Sequence, residues 1–451
     1  MIDRKLDEII ENHFNTSNAA LLLTGARQTG KTFSLRKYAK KSKMKLLEVN
    51  FLQDPAASQI FNDCQNAGDV LLHLSAYSKV DLLPGKVFIF FDEVQACPDV
   101  VTWIKFLVDE GSYRYALSGS LLGVELKDIR SVPVGYMSVV EVFPLDFREF
   151  AINVGVSKAV LDSVEKSWEE KTEVDEVVHR SLMRLVSLYL IVGGMPAAVQ
   201  TYIDTNNIRS VQLKQQEIMT LYRWDISQYD TNDKLKVKDI FDLIPSELDA
   251  KNKRFILKNL NERARMSRYE DGFLWLKDAG VALPTYNISE PRVPMRLNEL
   301  RNLFKLFMCD VGLLASQYAS GIALRVLNGE VNINNGAIYE NFVAQELKSH
   351  GFELRYFNSK RQGELDFVIE TEGTVVPIEV KSGKDYERHN ALQNVMATKE
   401  YGIPKAYVFY NGNLQVKDNL IYAPIYMLMF LWHNAPLDTN QIYTVDLTGL
   451  K

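Results

Sequence analysis

Short apolar segments alternate with amphipathic segments over the first 150 residues of the chain. The apolar segments lie near residues 19–23, 45–50, 87–91, 113–117 and 138–141, and each has the length of a buried strand. Between them, apolar residues recur at helical spacing. This alternation predicts an α/β fold in which helices cover both faces of a parallel sheet.

Beyond residue 150 the pattern changes three times. Residues 151–230 are helical in pattern throughout, with a charged stretch at 164–180 that indicates a solvated helix or a mobile insert. Three short helical segments follow at 236–244, 251–260 and 268–280, and an apolar strand at 281–286 comes next. Three helices and a strand of a wing are typical of a winged helix. From about residue 325, the pattern predicts helix, strand, strand, helix and strand.

The octet at residues 25–32 is the first candidate binding site. It matches the phosphate-binding pattern G-x-x-x-x-G-K-[ST] and lies after a predicted strand and before a predicted helix. Backbone N–H groups of such a loop point at phosphates, and the helix N-terminus adds positive potential. We expect Lys31 to reach the β- and γ-phosphates of ATP and Thr32 to bind Mg²⁺. A glycine-rich turn without a ligand is the alternative. The nucleotide-binding residues predicted here are Gly25, Ala26, Arg27, Gln28, Thr29, Gly30, Lys31 and Thr32.

The third predicted strand is unbroken in its apolar pattern and ends in two carboxylates, Asp92 and Glu93. Ligands bind at the carboxyl ends of strands in open α/β sheets. We predict that Asp92 holds Mg²⁺ through water and that Glu93 is the general base for the attacking water. This doublet indicates a hydrolytic ATPase of the AAA+ type. Such enzymes carry a polar sensor residue between the two Walker strands, and we predict Ser118 in that role, with Ser120 or a simple Ser-Gly turn as alternatives.

Net charge, the cysteines and histidines, and the apolar segments argue against several classes of protein. The 451 residues carry a net charge of -5, which argues against a chain that is basic throughout, although residues 251–268 contain seven basic residues and one acid. That segment predicts either contact with DNA phosphates or a solvated face that binds protein. Three dispersed cysteines and six scattered histidines predict neither a disulfide framework nor a zinc site. The start lacks a signal-peptide pattern and the apolar segment at 421–432 predicts a core helix, so we expect a cytoplasmic protein without a membrane span.

A second group of charged residues lies in the last third of the chain. Asp366 and Glu379 are separated by twelve residues, Lys381 follows two positions later, and Glu340 precedes them on a predicted helix. This is the active-site layout of PD-(D/E)xK nucleases. Asp366 and Glu379 would bind Mg²⁺, Lys381 would act on the attacking water or on developing charge, and Glu340 would complete the metal ligands. The alternative is a surface strand of alternating charge, or a fold that persists as a binding module.

The ordered set of motifs resembles a prokaryotic family of AAA+ ATPases, in which an AAA-14 type ATPase domain is joined to the domain of unknown function 4143. Similarity extends along the whole chain. The matching segments are GARQTGKT from Gly25, FFDEVQ from Phe90, LSGSLLG from Leu117, FPLDFREF from Phe143, YLIVGGMP from Tyr189, FKLFMCDVGLL from Phe304, YENFVAQEL from Tyr339, GELDFVIE from Gly363 and IEVKSG from Ile378.

The resemblance implies an ATP-dependent protein with a restriction-endonuclease-like C-terminus. Many relatives carry Gly-Arg after the sensor strand, whereas this chain has Val134-Gly135-Tyr136-Met137, and Arg130 is a weak substitute. This departure argues against an arginine at this place that acts on a neighbour's nucleotide, and both the arginine finger and the oligomeric state stay open. We predict a P-loop NTPase core over 1–150, a helical lid over 151–230, a winged-helix domain over 231–320 and a nuclease-like domain over 321–451.

Two functions follow from these patterns. The first is an ATPase whose nucleotide state repositions a winged-helix and nuclease-like unit on DNA. The second is a slow ATP-dependent switch that binds a protein partner and uses the nuclease-like fold only as a scaffold. A DNA-binding regulator without hydrolysis is a third alternative, and the intact Asp92-Glu93 pair argues against it.

Overall fold

The structure is a computed structural model of the whole chain. It describes residues 2–78, 81–120, 135–228, 234–250, 253–260, 262, 266, 269–318, 322–327, 336–383 and 385–433.

Fifteen α-helices and fourteen strands lie in the described residues. The helices are α1 (Lys5–Thr16), α2 (Lys31–Lys41), α3 (Ala67–Ser78), α4 (Asp99–Glu110), α5 (Phe147–Asn153), α6 (Lys158–Glu170), α7 (Glu176–Val192), α8 (Pro196–Thr205), α9 (Ile208–Gln228), α10 (Lys234–Asp249), α11 (Glu270–Asp278), α12 (Val311–Ala315), α13 (Ile322–Leu327), α14 (Gly336–Ser349) and α15 (Asn390–Met396). The strands are β1 (Ala20–Thr24), β2 (Lys45–Asn50), β3 (Val87–Asp92), β4 (Arg114–Ser118), β5 (Met137–Glu141), β6 (Ala282–Ile288), β7 (Glu299–Met308), β8 (Arg355–Ser359), β9 (Gly363–Leu365), β10 (Phe367–Thr371), β11 (Thr374–Val380), β12 (Ala406–Tyr410), β13 (Gln415–Lys417) and β14 (Leu420–Pro424).

The N-terminal region is built on a five-stranded sheet of order β2-β3-β4-β1-β5, in which all neighbouring strands are parallel. All six residues of β3 are buried, as its unbroken apolar pattern predicts for a central strand. β4 lies between β1 and β3, so the carboxyl ends of the three strands meet at one edge of the sheet. The predicted α/β fold with a P-loop NTPase sheet is confirmed.

A helical block, α5 to α9, follows the sheet and packs on the C-terminal half of the chain. Phe147 of α5 contacts Tyr189 of α7 and Phe342 of α14, with ring centroids 5.7 and 6.2 Å apart. One apolar core runs from this block into the C-terminal region. Among the described helices, none alone has the length and apolarity of a membrane span, although α7 and α8 pass that test together across a 120° bend.

The region predicted as a winged helix differs from the expected pattern in its second helix. α10 and α11 match the first and third predicted helices, but the described part of 251–260 contains only a short 3₁₀ helix, Leu257–Asn259. The predicted wing strand is β6, which forms an antiparallel hairpin with β7. β6 also pairs with β8, in a sheet of order β7-β6-β8-β9, so one sheet spans the predicted domain limit at residues 320/321.

Two C-terminal elements differ from the sequence-based expectation. The predicted strand at 364–369 is divided at Asp366 into β9, in the sheet with β8, and β10, in a second sheet of order β10-β11-β12-β14-β13. Asp366 therefore lies at the corner where two sheets meet. The predicted core helix at 421–432 is instead β14 followed by a buried 3₁₀ helix, Ile425–Phe430. The strand ends at Pro424, and the apolar residues of the 3₁₀ helix that follows are still buried in the core.

Candidate nucleotide site

The octet forms a loop between β1 and α2, as predicted. Gly30 is the N-cap residue of α2 and has φ 94°, a backbone conformation that glycine adopts without strain. Gln28 also has a positive φ of 67°. Arg4 from α1's N-cap position donates to the Thr29 carbonyl at 2.9 Å and fixes the loop from outside. The loop is therefore held in shape by a residue outside the octet.

Lys31 is buried at the start of α2. Its Nζ donates to the carbonyl oxygens of Gly25 at 2.8 Å and Ala26 at 2.7 Å, so the ammonium lies over the loop. Burial lowers the pKa of Lys31 to about 8, against the opposing attraction of Glu93 and Asp92. A cation held this way gains a strong partner when a phosphate enters the loop.

Asp92 collects three polar side chains at the end of β3. Thr32 Oγ1 donates to Asp92 Oδ1 at 3.1 Å, Asn50 Nδ2 donates to Oδ2 at 2.9 Å, and Ser118 Oγ donates to Oδ1. Burial raises the pKa of Asp92, and the hydrogen bonds from Ser118 and Thr32 lower it in part. Hydroxyl and carboxylate oxygens next to a phosphate loop fit Mg²⁺, a hard cation that prefers oxygen ligands.

Glu93 follows Asp92 in a left-handed backbone conformation, with φ 57° and ψ 50°. This conformation is uncommon for a residue other than glycine and turns the side chain away from the strand direction. Its Oε2 accepts hydrogen bonds from Gln95 Nε2 at 2.7 Å and from Ser120 Oγ at 3.2 Å. Ser120 therefore contacts the predicted general base, whereas Ser118 contacts the predicted metal ligand. This geometry favours Ser120, the alternative, for orienting the water.

Part of this group faces one cleft of about 610 Å³. Arg27, Lys31, Thr32, Glu93 and Ser120 line one side of it. The opposite side comes from the helical block and the N-terminus; it is formed by Ile2, Pro196, Ala197, Gln200 and Leu221. An apolar wall facing a polar loop has the composition of a site for a nucleotide.

Four residues of this site escaped sequence analysis. Asn50 lies at the end of β2, beside β3, and that adjacent strand end is a signal that the pattern contained. Gln95, two residues after Glu93, is also close in sequence. Arg4 and Asp225 lie far from the octet along the chain, and no local pattern identifies them.

The C-terminal carboxylates are brought together around a lysine that the sequence analysis did not select. Lys305 of β7 is fully buried and lies 3.3 Å from Glu340 Oε2 and 2.8 Å from Glu364 Oε1. Lys253 forms a second ion pair with Glu340. Burial raises the pKa of Glu340, but the attraction of Lys305 and Lys253 outweighs it and holds that pKa below its usual value.

Asp366, Glu379 and Lys381 lie in the same cluster. Lys381 Nζ donates to Glu379 Oε1 at 2.7 Å, and Asp366 Oδ2 accepts from the Val380 backbone N–H at 2.8 Å. Burial, together with the charges of Glu379 and Glu340, raises the pKa of Asp366. Glu379 lies on β11 and Lys381 directly after it, whereas Asp366 lies at the corner between β9 and β10. The ion pair here is made with a lysine, as are those of Glu340.

This arrangement does not fit a divalent metal ion. Two ammonium groups already occupy the oxygens of Glu340, and within the described residues no group of three or more His, Cys, Asp or Glu side chains is placed to hold a metal. Lysine and Mg²⁺ compete for the same carboxylate oxygens. The predicted metal ligands Glu340, Asp366 and Glu379 are thus neighbours without forming a metal centre.

The basic segment at 251–268 is described only in part. Lys253 turns inward to Glu340, Arg254 lies beside the buried Tyr356, and Lys258 is exposed. The other four predicted DNA contacts, Lys251, Arg263, Arg265 and Arg268, lie outside the described residues, as do Arg130 and Val134.

Several solved structures resemble this chain at low identity. The Walker-type ATPase of Pyrococcus abyssi is 12% identical over 70% of this chain and 96% of its own, with a TM-score of 0.41. The Orc1 protein of Aeropyrum pernix, solved in complex with DNA, is 15% identical over 72% and 91%, with a TM-score of 0.28. AMPPCP-bound DnaA of Aquifex aeolicus is 15% identical over 62% and 95%, also with a TM-score of 0.28. No curated protein matches the chain.

Three family models match successive parts of the chain. The model of an AAA domain, AAA_14, covers residues 17–151, which contain the octet, Asp92, Glu93 and Ser118. A domain of unknown function, DUF8612, covers 183–323, and another, DUF4143, covers 335–428. The descriptions of the latter two assign no activity. The chain therefore joins an AAA_14 P-loop ATPase domain to a DUF4143 domain in one polypeptide.

Proposed function

We propose that the protein binds ATP with Mg²⁺ and hydrolyses it, and that the nucleotide state changes how the helical block and the C-terminal region are held. The observation that supports this proposal most strongly is the convergence of Lys31, Thr32 and Glu93 on one cleft, with the buried Asp92 hydrogen-bonded to Thr32. A phosphate loop, a metal site and a general base are the parts that ATP hydrolysis needs.

Each group has a distinct role in the proposed reaction. Lys31 leaves the carbonyls of its own loop for the phosphate oxygens, since an ammonium binds an anion more strongly than a neutral carbonyl. Thr32 and Asp92 would hold Mg²⁺, and the ion would supply positive charge to the phosphates. Glu93 accepts the proton of the attacking water, and Ser120 and Gln95 hold its carboxylate in position.

The proposal is tested on the full-length wild-type protein. Calorimetry measures binding of MgATP, and phosphate release measures turnover with and without duplex DNA at two salt concentrations. Turnover that rises with DNA, and less so at high salt, supports the DNA-coupled alternative. Turnover that is indifferent to DNA supports a protein partner, and absence of nucleotide binding contradicts the proposed function.

Lys31→Ala is expected to weaken ATP binding by about 10- to 100-fold, because hydrogen bonds to charged groups contribute about 1.5–3 kcal/mol. Calorimetry with MgATP measures the change. Lys41→Ala is the matched control, since Lys41 is an exposed lysine of the same helix, paired with Glu11. Equal affinity of Lys31→Ala and wild-type protein would remove Lys31 from the phosphate site.

For the C-terminal region, the buried Lys305 favours the silent-scaffold alternative over nuclease activity. The ion pairs of Lys305 and Lys253 with Glu340 take up the oxygens that a catalytic metal would need. We infer that this cluster joins β7, α14 and the corner at Asp366, and so carries changes in the middle region to the C-terminal sheet.

Purified protein is accordingly expected to leave DNA and RNA intact with either Mg²⁺ or Mn²⁺. Gel analysis of labelled single- and double-stranded substrates checks this, with ATP turnover as evidence that the protein is folded. Metal-dependent cleavage that disappears in Glu379→Ala and persists in Glu387→Ala, an exposed acid of the same domain, would restore the nuclease proposal.

A further inference from the structure

Arg27, the third residue of the octet, is a cleft residue to which the mechanism above assigns no role. It lines the nucleotide cleft together with Lys31 and Glu93. Arg27 and Lys31 therefore bring two cations to one cleft. Two cations lining a cleft favour the entry of an anion such as a phosphate.

The side chain of Arg27 is held by two partners. Nη1 forms an ion pair with Oδ1 of Asp225, a largely buried residue of α9, and Nε donates to Ser120 Oγ at 3.4 Å. Ser120 in turn donates to Glu93 at 3.2 Å, so two hydrogen bonds through Ser120 connect Arg27 to the proposed general base. The backbone is held as well, because Tyr222 Oη of α9 donates to the Arg27 carbonyl at 3.0 Å.

This geometry orients the guanidinium without using all of its donors. Arginine carries five N–H donors in a rigid plane, which lets it hold one carboxylate and still bind a second anion. Nη2 donates no hydrogen bond to any of the described residues. Asp225 and Ser120 hold the guanidinium, and Arg27 lines the same cleft as Lys31 and Thr32.

We propose that Arg27 is a catalytic residue that stabilises the γ-phosphate charge in cis, with Asp225 as its positioning residue. The inference rests on the proposed ATP hydrolysis. The water oxygen bonds to the γ-phosphorus, the bond to the bridging oxygen breaks, and its electron pair stays on ADP. The water proton passes to Glu93, and Arg27 keeps its own protons throughout. Charge spreads over the γ-oxygens in this step, and a fixed guanidinium stabilises it most at that point.

A catalytic arginine that comes from the same chain as the bound nucleotide agrees with the segment after the sensor strand. The position where relatives carry Gly-Arg is Gly135-Tyr136 here, so the described chain offers no arginine there to a neighbouring nucleotide. With Arg27 in the octet itself, each protein molecule contains its complete catalytic set. Turnover per molecule is then expected to stay constant across protein concentrations.

The test compares Arg27→Ala, Arg27→Lys and Asp225→Asn with wild-type protein in ATP turnover, ADP affinity and trapping of ADP with aluminium fluoride. Arg27→Ala is expected to lower kcat about 10³-fold, the lower end of the range for such arginines. ADP affinity is expected to change less than threefold, while trapping with aluminium fluoride is lost. Arg27→Lys is expected to recover little of the lost turnover, because an ammonium lacks the rigid, planar set of N–H donors that a guanidinium has. Asp225→Asn is expected to lower kcat about tenfold with ADP affinity retained.

Arg180→Ala is the control, since Arg180 is an exposed arginine paired with Glu176. Wild-type turnover and trapping in Arg27→Ala would overturn the proposal and leave ATP hydrolysis standing. Equal loss of ADP binding and trapping would overturn it too, since Arg27 would then only shape the loop. Failure of wild-type protein itself to bind ADP contradicts the proposed function instead. Turnover per molecule that rises with protein concentration, and is restored to Arg27→Ala by mixing with Glu93→Gln, would place the arginine in trans.

Discussion

Glu93→Gln is expected to bind ATP as wild-type protein does and to hydrolyse it about 10²–10⁴-fold more slowly, the usual cost of losing a general base. Glutamine has the size of glutamate and keeps an oxygen for the hydrogen bonds from Gln95 and Ser120. It cannot accept the proton of the attacking water. Phosphate release at saturating ATP measures the rate, and calorimetry measures the affinity.

The control for this variant is Glu169→Gln, which changes an exposed glutamate of α6 in the same chemical way. Wild-type turnover in Glu93→Gln would mean that another group activates the water. Loss of ATP binding would mean that the hydrogen bonds of Glu93 support the cleft itself. Because Glu93 has a positive φ, the variant keeps the same backbone cost as wild-type protein, so a stability change is not the expected result.

The parts of the site that the sequence predicts are those built from short segments. The octet needs only a strand before it and a helix after it, and both are encoded within a few residues. Asp92 and Glu93 meet it because parallel strands present their carboxyl ends at one edge. Local patterns therefore predicted that the octet, Asp92 and Glu93 lie at one edge of the sheet, and their roles stay predictions.

Partners that come from distant segments were not predictable in this way. Arg27 and Asp225 are 198 residues apart, and Lys305 and Glu340 are 35 apart in different elements. Lys305 lies among apolar residues on β7. In sequence it looks like the polar interruption of an ordinary strand, and only the approach of α14 makes it part of a charged cluster.

The fold of the C-terminal region also contains a feature that local sequence patterns do not predict. The run from 364 to 369 has a continuous strand pattern, and the division at Asp366 arises because β9 pairs with β8 while β10 pairs with β11. The choice between two neighbouring sheets is a tertiary effect that outweighs local strand propensity. It also places Asp366 beside Glu379, so the corner creates the cluster.

The cluster contains four carboxyl groups, Glu340, Glu364, Asp366 and Glu379, and three ammonium groups, Lys253, Lys305 and Lys381. One carboxyl group thus lacks a lysine of its own. Burial and the charges of Glu379 and Glu340 raise the pKa of Asp366. Charge balance therefore depends on the lysines, and on Lys305 most of all, because it is fully buried between two glutamates.

Lys305→Met is expected to lower the free energy of unfolding by about 3–5 kcal/mol, because removing one partner of a buried ion pair leaves the other charge uncompensated. Methionine preserves the length of the side chain and its packing near Tyr356. Urea unfolding at pH 7 measures the loss. The pKa of Lys305 is raised by Glu340 and Glu364 against the effect of burial, so its contribution to stability is complete below the unfolded pKa of about 10.4 and the loss should be the same at pH 7 and pH 9.

Lys417→Met is the control: it removes an exposed ion pair with Glu387 in the same domain and should change the unfolding midpoint little. Adding Glu364→Gln to Lys305→Met should recover part of the loss, because the Lys305–Glu364 pair is then neutral on both sides while Glu340 keeps its ion pair with Lys253. If Lys305→Met unfolds at the wild-type midpoint, the cluster does not join the two sheets, and the scaffold proposal for the C-terminal region loses its physical basis.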